Sequence, residues 1–155
     1  MMKICRTLRI ILILFLFHNS WALATTLEFS PDPKIRVFLS INGNTLSYRI
    51  VGQHVVVDQI VFETEKKIHL EIEDYNFSGK KNISVWYIDD GMGTTTVHRV
   101  FLYSIKKKNF VEYFPVCGDQ FINLIVDKKT KTLRSTYFAN NIPKLCSSRL
   151  PRKVN

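Results

Sequence analysis

The repetition of short apolar segments, separated by turn signals at intervals of about 8 to 12 residues, is the feature that most constrains the fold. Within the segments apolar and polar residues alternate, as at Ile68, Leu70 and Ile72, which is typical of half-buried strands. Asn42-Gly43 lies between two such segments and is a strong hairpin signal. No helical periodicity of useful length follows residue 25. The sequence therefore predicts an all-β antiparallel meander of short hairpins and leaves sandwich, propeller-like and barrel packing open.

The alternation also sets approximate strand bounds. Residues 25–34 contain Pro31 and Pro33, which exclude a continuing helix or a central strand, so we interpret them as a lead-in. The segments predicted as strands are 36–41, 45–51, 55–63, 68–73, 83–88, 94–105, 110–114, 121–126 and 132–138.

The first residues have the layout of a secretory signal. Lys3, Arg6 and Arg9 precede the apolar run 10–17, and Ala22-Leu23-Ala24 is a small-x-small cleavage sequence. The run is shorter than the roughly 20 residues that a spanning helix needs. The predicted organisation is a cleaved signal peptide over 1–24, a single β domain over 25–146 and a flexible basic tail over 147–155, with no membrane span after cleavage and a periplasmic or secreted location.

The charge balance is compatible with an anionic partner and equally with a role in solubility alone. The chain has 22 basic and 13 acidic residues, and three of the basic ones lie in the predicted signal peptide, so the mature part carries a net charge of +6. One interpretation of this excess is an acidic partner or an acidic cell envelope. The other is that the positive charge only keeps the protein soluble. Because an exported protein seldom meets nucleic acid, we expect no nucleic-acid partner.

Two cysteines, Cys117 and Cys146, remain after the predicted cleavage. An even pair in an exported chain predicts a disulfide. Neither cysteine has a histidine or another cysteine at metal-ligand spacing. We therefore predict a structural role for the pair.

Residues 74–82 form an oxygen-rich turn, with Asp74, Asn76, Ser78 and Asn82 at alternating positions and a glycine after the third of them. Calcium takes about six to eight oxygen ligands, which loops supply at alternating positions around a glycine. Asp74 is the only carboxylate in this turn, and two lysines follow Gly79. The pattern therefore permits two interpretations, a calcium loop of low affinity or an Asx-rich turn without metal.

Acid–base chemistry has little support in the sequence. Asp89 and Asp90 are adjacent carboxylates at a strand end, where neighbouring side chains point to opposite faces. His54, His69 and His98 are scattered over polar positions. We predict that these residues are surface groups, that no residue is catalytic and that the chain is not an enzyme.

Gly91-Met92-Gly93 lies between two aromatic strands. One interpretation is a flexible protruding loop with Met92 as an adaptable contact, and the other is a glycine-rich turn with Met92 packed inward. Tyrosine and arginine frequently anchor protein interfaces. The predicted partner-binding residues are Tyr87, Asp89, Asp90, Met92, Thr94, Arg99 and Tyr103.

Three segments, Glu73–Gly79, Val85–Gly93 and Cys117–Asn123, carry a resemblance to a known family. They resemble an exported bacterial propeller-like family related to periplasmic inhibitors of i-type lysozyme. Some members are immunity proteins that neutralise lysozyme-like effectors. The resemblance covers residues 68–146 and implies a protein that inserts a loop into the cleft of a lysozyme-like peptidoglycan hydrolase.

The resemblance also implies a calcium site, with carboxylates at the positions of Ser78 and Asn82 in the family. The ligand positions implied for this chain are Asp74, Asn76, Ser78, the Lys80 carbonyl and Asn82. Calcium is thus the one cofactor that the sequence suggests, and the two departures weaken that suggestion.

The segment 89–94 is our own choice for the inserting loop, because a basic inhibitor is steered toward a cleft that contains carboxylates. The alternatives are a structural or adhesive envelope module with a calcium-type loop and, more distantly, a glycan hydrolase that uses Asp89 or Asp90.

Overall fold

The structure is a computed structural model that describes residues 26–91 and 93–154. The predicted signal peptide, with its cleavage after Ala24, and the predicted contact residue Met92 lie outside the described residues. Every regular element in these two ranges is a β-strand, in antiparallel sheets of consecutive hairpins. The all-β meander is therefore confirmed. The described ranges contain no helix with the length and apolar character needed to cross a membrane.

The first sheet contains four strands in chain order. They are β1 (Leu27–Asp32), β2 (Ile35–Asn42), β3 (Thr45–Val51) and β4 (Val55–Val61). The Asn42↔Thr45 pair closes the predicted hairpin with Gly43 and Asn44 as its two-residue loop. Gly43 has a positive φ of 59°, which the turn requires and glycine adopts without strain.

The second sheet has the order β11-β10-β9-β7-β6-β5, and β8 also pairs with β7. Its strands are β5 (His69–Glu73), β6 (Asn82–Ile88), β7 (Thr96–Ser104), β8 (Asn109–Tyr113), β9 (Phe121–Asp127), β10 (Thr132–Ala139) and β11 (Ile142–Ser148). One edge of β7 is shared, because β9 pairs with Val97 and His98 and β8 pairs with Val100 to Ser104. The sheet therefore forks at residue 99.

The main core lies between the two sheets. Val37, Leu39 and Leu46 of the first sheet belong to one buried cluster with Val85 and Phe101 of the second. Period-two alternation places these side chains on the inner faces. Of the packing alternatives that the sequence left open, the arrangement corresponds to a sandwich.

A second core covers the other face of the second sheet. Val100 and Leu102 of β7 are buried there with Phe121, Leu133 and Leu150. The β9–β10 hairpin folds back across the sheet, since Lys128 Nζ at its tip lies 2.7 Å from Glu73 Oε1 at the end of β5. Both faces of β7 are covered, which explains the unbroken apolar run from Val100 to Tyr103 in its second half.

Two strands, β1 and β11, were missed by the strand prediction. Each lies at the edge of its sheet and contains a proline, Pro31 or Pro143. Proline removes a backbone donor, and sheets accept that loss at edges and bulges. The lead-in interpretation of residues 25–34 is thereby corrected.

The C-terminal residues differ from the flexible tail predicted for 147–155. β11 continues to Ser148, and Leu150 is only 9% exposed. The Asn76 side-chain amide donates to the carbonyl oxygens of Pro151 (2.9 Å) and Arg152 (3.4 Å). Every second side chain from Cys146 to Leu150 is buried, as in a half-buried strand. The sequence did not predict this, because the segment is basic and has no clear apolar pattern. The packed domain therefore extends beyond residue 146.

The predicted disulfide is confirmed between Cys117 and Cys146. It joins the segment between β8 and β9 to the edge strand β11. The loop that leaves the sheet at the fork is thus covalently held at its centre.

Candidate functional site

The oxygen-rich turn is organised around Asp74. Its carboxylate accepts hydrogen bonds from the backbone N–H groups of Ser78 (3.0 Å) and Gly79 (2.6 Å). Phe77 and Gly79 both have positive φ values, of 53° and 83°, so the chain bends sharply here. The turn geometry expected of an Asx-rich loop is present.

Asn82, at the start of β6 and only 3% exposed, closes the turn. Its Nδ2 donates to Asn76 Oδ1 (3.3 Å) and to the Lys80 carbonyl (3.1 Å), while its Oδ1 accepts from Tyr103 N (2.9 Å). Ser78 Oγ also donates to Asn76 Oδ1 (2.8 Å). A side-chain amide of the protein therefore occupies the oxygens that a cation would otherwise bind.

The structure brings the five implied calcium positions together, but their donor set does not fit calcium. Asp74 supplies the only carboxylate, and it is taken by two backbone donors. The oxygens of Asn76, Lys80 and Asn82 all accept bonds from within the chain. Calcium binds through several carboxylates as well as neutral oxygens. Within the described ranges, no group of three or more His, Cys, Asp or Glu side chains is placed to hold a metal.

The loop over residues 89–95, between β6 and β7, is braced by a single carboxylate. Asp89 Oδ1 accepts from Gly91 N (2.9 Å) and Gly93 N (3.3 Å), and Oδ2 accepts from Thr95 N (2.9 Å) and Thr95 Oγ1 (2.8 Å). These bonds, the backbone and side-chain donors of Thr95 first, lower the pKa of Asp89 to about 2. Asp89 therefore braces the described residues of the loop, Gly91 on one side and Gly93 to Thr95 on the other.

Asp90 fastens the same loop to the connection after β4. Thr64 Oγ1 donates to Asp90 Oδ1 at 3.0 Å, and Lys66 N donates to Thr64 Oγ1 at 3.0 Å. The two adjacent carboxylates thus bind different partners, Asp89 within its loop and Asp90 across to Thr64. Each serves the loop's conformation in this geometry, and they do not converge as an acid–base pair.

A recess of about 480 Å³ lies at the fork of the second sheet, between the end of β8 and the start of β9. Arg99 is fixed in it, since Nε and Nη2 donate to the two carboxylate oxygens of Glu112 at 2.7 and 2.6 Å. The guanidinium also lies over the Phe62 ring, 4.8 Å from its centroid. Glu63 and Asp119 add negative charge to the wall. We call this recess and the braced loop together the loop end.

The loop end contains most, but not all, of the predicted partner-binding residues. Arg99 and Tyr87 line the recess, and Asp89, Asp90 and Thr94 belong to the loop. Tyr87 is only 9% exposed, so it offers little surface to a partner. Burial raises its pKa; the nearby Arg99 opposes the shift, and the carboxylates of Asp90, Glu63 and Glu112 add to it.

Tyr103 does not lie on the same surface as the other predicted contact residues. It is 8% exposed and contacts Asn82 at the opposite end of β7. It lies four positions along β7 from Arg99, a distance of about 13 Å. Arg99 and Tyr103 are close in sequence, and the prediction therefore assigned them to one surface. The strand places them at different ends of the sandwich.

His98 was predicted to be a surface residue, and the structure shows it 8% exposed. Its Nε2 lies 3.0 Å from Thr96 Oγ1, and Nδ1 has no hydrogen-bond partner in the part of the chain that the structure describes. Trp86 stacks between His98 and His69, with ring centroids 6.0 and 4.1 Å apart. Burial lowers the pKa of His98 to about 4. Polar alternation did not reveal this, because His98 packs against Trp86 of the neighbouring strand and pairs with Phe121 of the distant β9.

His98 predicts a pH dependence of stability that one substitution should remove. Because the pKa of His98 falls from 6.5 to about 4 on folding, the unfolded chain binds the proton first as the pH is lowered. Stability is therefore complete above pH 6.5 and falls between pH 6.5 and 4. His98→Phe, which keeps a ring beside Trp86, should flatten this interval in chemical denaturation. His69→Phe is the matched control, and an equal flattening in both variants would contradict the assignment.

Comparisons of the chain with known protein families, with curated proteins and with solved structures gave no match. The resemblance of residues 68–146 therefore stays a prediction. The geometry of the loop end is the feature of the molecule that bears most directly on function.

Proposed function

We propose that the chain is an exported, non-catalytic binding protein that blocks a lysozyme-like peptidoglycan hydrolase. The braced loop over 89–95 enters the cleft of the enzyme. The rim of that cleft then binds in the fork recess. The observation that supports this most is the set of four hydrogen bonds on the Asp89 carboxylate.

A braced loop favours binding because little conformational entropy remains to be lost when it docks. The exposed residues at its tip include Gly91, Gly93 and Thr94, which are small and uncharged and suit a narrow cleft. Asp90 is turned toward Thr64, so its charge is partly satisfied within the chain.

The test measures whether the chain lacking residues 1–24 inhibits hydrolysis of labelled peptidoglycan by c-, g- and i-type lysozymes and by a hydrolase encoded next to it. We expect inhibition of at least one enzyme. Thr94→Trp should weaken it at least about tenfold by blocking entry of the loop, a loss of roughly 1.4 kcal/mol or more in binding. Failure to bind or inhibit any of these enzymes would reject the proposal.

Two further variants separate contact from positioning. Gln53→Trp places the same bulk on an exposed turn at the other end of the sandwich, and it should leave inhibition unchanged. Asp89→Ala should weaken inhibition by releasing the loop, with faster amide exchange at Gly91, Gly93 and Thr95 as an independent readout. Unchanged exchange in that variant would show that Asp89 does not brace the loop.

A structural or adhesive envelope module is the second candidate. It is favoured by the internal bonding of the Asp74 turn, where polar side chains stabilise the scaffold without a bound ion. This function predicts retention of the chain on purified peptidoglycan and no effect on hydrolases. Co-sedimentation with purified sacculi distinguishes the two.

A further inference from the structure

Cationic side chains converge at the end of the sandwich opposite the loop end. A recess of about 630 Å³ there is lined by Lys80, Lys106, Arg152 and Lys153. They come from the 74–82 turn, the β7–β8 turn and the C-terminal segment, and all four are exposed. Residues far apart in the sequence thus supply one positive surface.

Two neighbouring recesses extend this surface. One shares Tyr103 and Ile105 with the first and adds Lys34 and Lys108. The other shares Asn76, Phe77 and Arg152 with the first and adds Lys131 and Arg149.

We call the surface formed by these eight cationic side chains the basic end. Asp32 is the only acidic side chain among the described residues that line the three recesses. It lies 2.8 Å from Lys80 Nζ, and the other seven cations form no ion pair within the described residues. By contrast, Glu63, Glu112 and Asp119 face a single arginine in the fork recess. The chain is therefore polarised along its strands.

An exposed apolar residue lies within the basic end. Ile105, 59% exposed, begins the turn that continues with Lys106, Lys107 and Lys108. An apolar side chain beside exposed lysines suits an anionic membrane surface, because the apolar group can enter the headgroup region while the cations contact the lipid phosphates.

We propose that the basic end docks on an anionic phospholipid surface, with Ile105 in the headgroup region and the lysines and arginines on the lipid phosphates. The cations stand on several separate turns and form a broad face, which matches an extended array of phosphates. Because β7 spans about 30 Å from end to end, docking holds the loop end away from the lipid and accessible to a protein partner. This inference does not rest on the proposed function.

The test is co-sedimentation of the chain lacking residues 1–24 with phosphatidylcholine vesicles, with and without about 30% phosphatidylglycerol. We expect binding to the anionic vesicles, at least about tenfold weaker binding to neutral ones, and a marked loss as salt is raised from about 50 to 200 mM. Lys106→Glu/Lys108→Glu should weaken binding at least about tenfold, since it reverses two charges at the contact. Ile105→Ser should weaken it without any change in charge.

Matched controls are available on the same chain. Lys66→Glu/Lys67→Glu makes the same charge change on exposed residues near the loop end, and Ile125→Ser alters an isoleucine that is also 59% exposed. Both should retain binding. The proposal is overturned if anionic vesicles do not retain the chain at low salt, or if the control variants weaken binding as much as their counterparts. Release by inorganic phosphate but not by chloride of equal ionic strength would assign the surface to a soluble phosphate ligand instead and would also overturn it.

Discussion

Asn82→Asp is expected to lower the free energy of unfolding by about 3 kcal/mol when divalent cations are chelated. The substitution removes Asn82 Nδ2, which donates hydrogen bonds to Asn76 Oδ1 and to the Lys80 carbonyl oxygen. It also places a negatively charged carboxylate next to both oxygens. The site is 3% exposed, so water cannot replace the lost bonds. Urea denaturation followed by tryptophan fluorescence measures the effect.

Calcium should rescue a variant in which both missing carboxylates are supplied. Ser78→Asp/Asn82→Asp gives the turn the charge pattern of a calcium loop, so calcium should raise its stability by about 1.4 kcal/mol per decade of concentration above the dissociation constant. Asn82→Ala, which loses the same donor without gaining a ligand, should be destabilised and insensitive to calcium. The native chain should also be insensitive. Stabilisation of the native chain by calcium would show that the Asn82 amide does not take the place of a cation.

Removal of the disulfide is expected to have a similarly large effect. Cys117 and Cys146 are 29 residues apart, and closing a loop of that length stabilises a fold by about 3 to 4 kcal/mol through the entropy of the unfolded chain. Cys117→Ser/Cys146→Ala should therefore unfold at a much lower denaturant concentration than the oxidised chain. It should also loosen the segment from Phe114 to Gln120, which forms one wall of the fork recess.

The reduced native chain is the control for the disulfide, because it lacks the bridge and keeps both side chains' size. Reduction and double substitution should lower stability by nearly the same amount. If the substituted chain were destabilised while the reduced chain kept its stability, the effect would come from packing around the buried Cys146 and not from the bridge.

Local patterns in the sequence determine much of the first sheet and the centre of the second. The Asn42-Gly43 turn and the alternation over 45–51 predict β2, its hairpin and β3 within a residue or so, because the signal and its structural outcome lie in the same short segment. The edge strands β1 and β11 were missed because proline at Pro31 and Pro143 lowers strand propensity. Edge pairing overrides that local preference.

The candidate sites likewise divide into features that neighbouring residues determine and features that contacts between distant segments determine. The order of Asp74, Asn76 and Ser78 predicted the turn from neighbouring residues alone. The role of Asn82 as a substitute for a cation depends on which of its atoms faces Asn76, and no spacing rule contains that information. The burial of His98 and the convergence of Lys34 with Lys153 likewise arise from contacts between distant segments.

The fork at residue 99 has a consequence for the order in which the chain folds. The β1–β4 hairpins need only sequence-local contacts and can close early. One edge of β7 is fully paired only when both β8 and β9 have formed. The second sheet can therefore be completed only after the chain has been synthesised as far as Ile122. Until β6 and β7 pair, the apolar inner face of the first sheet, with Val37, Leu39 and Leu46, has no cover. During folding, this interval is when the chain is most prone to aggregate.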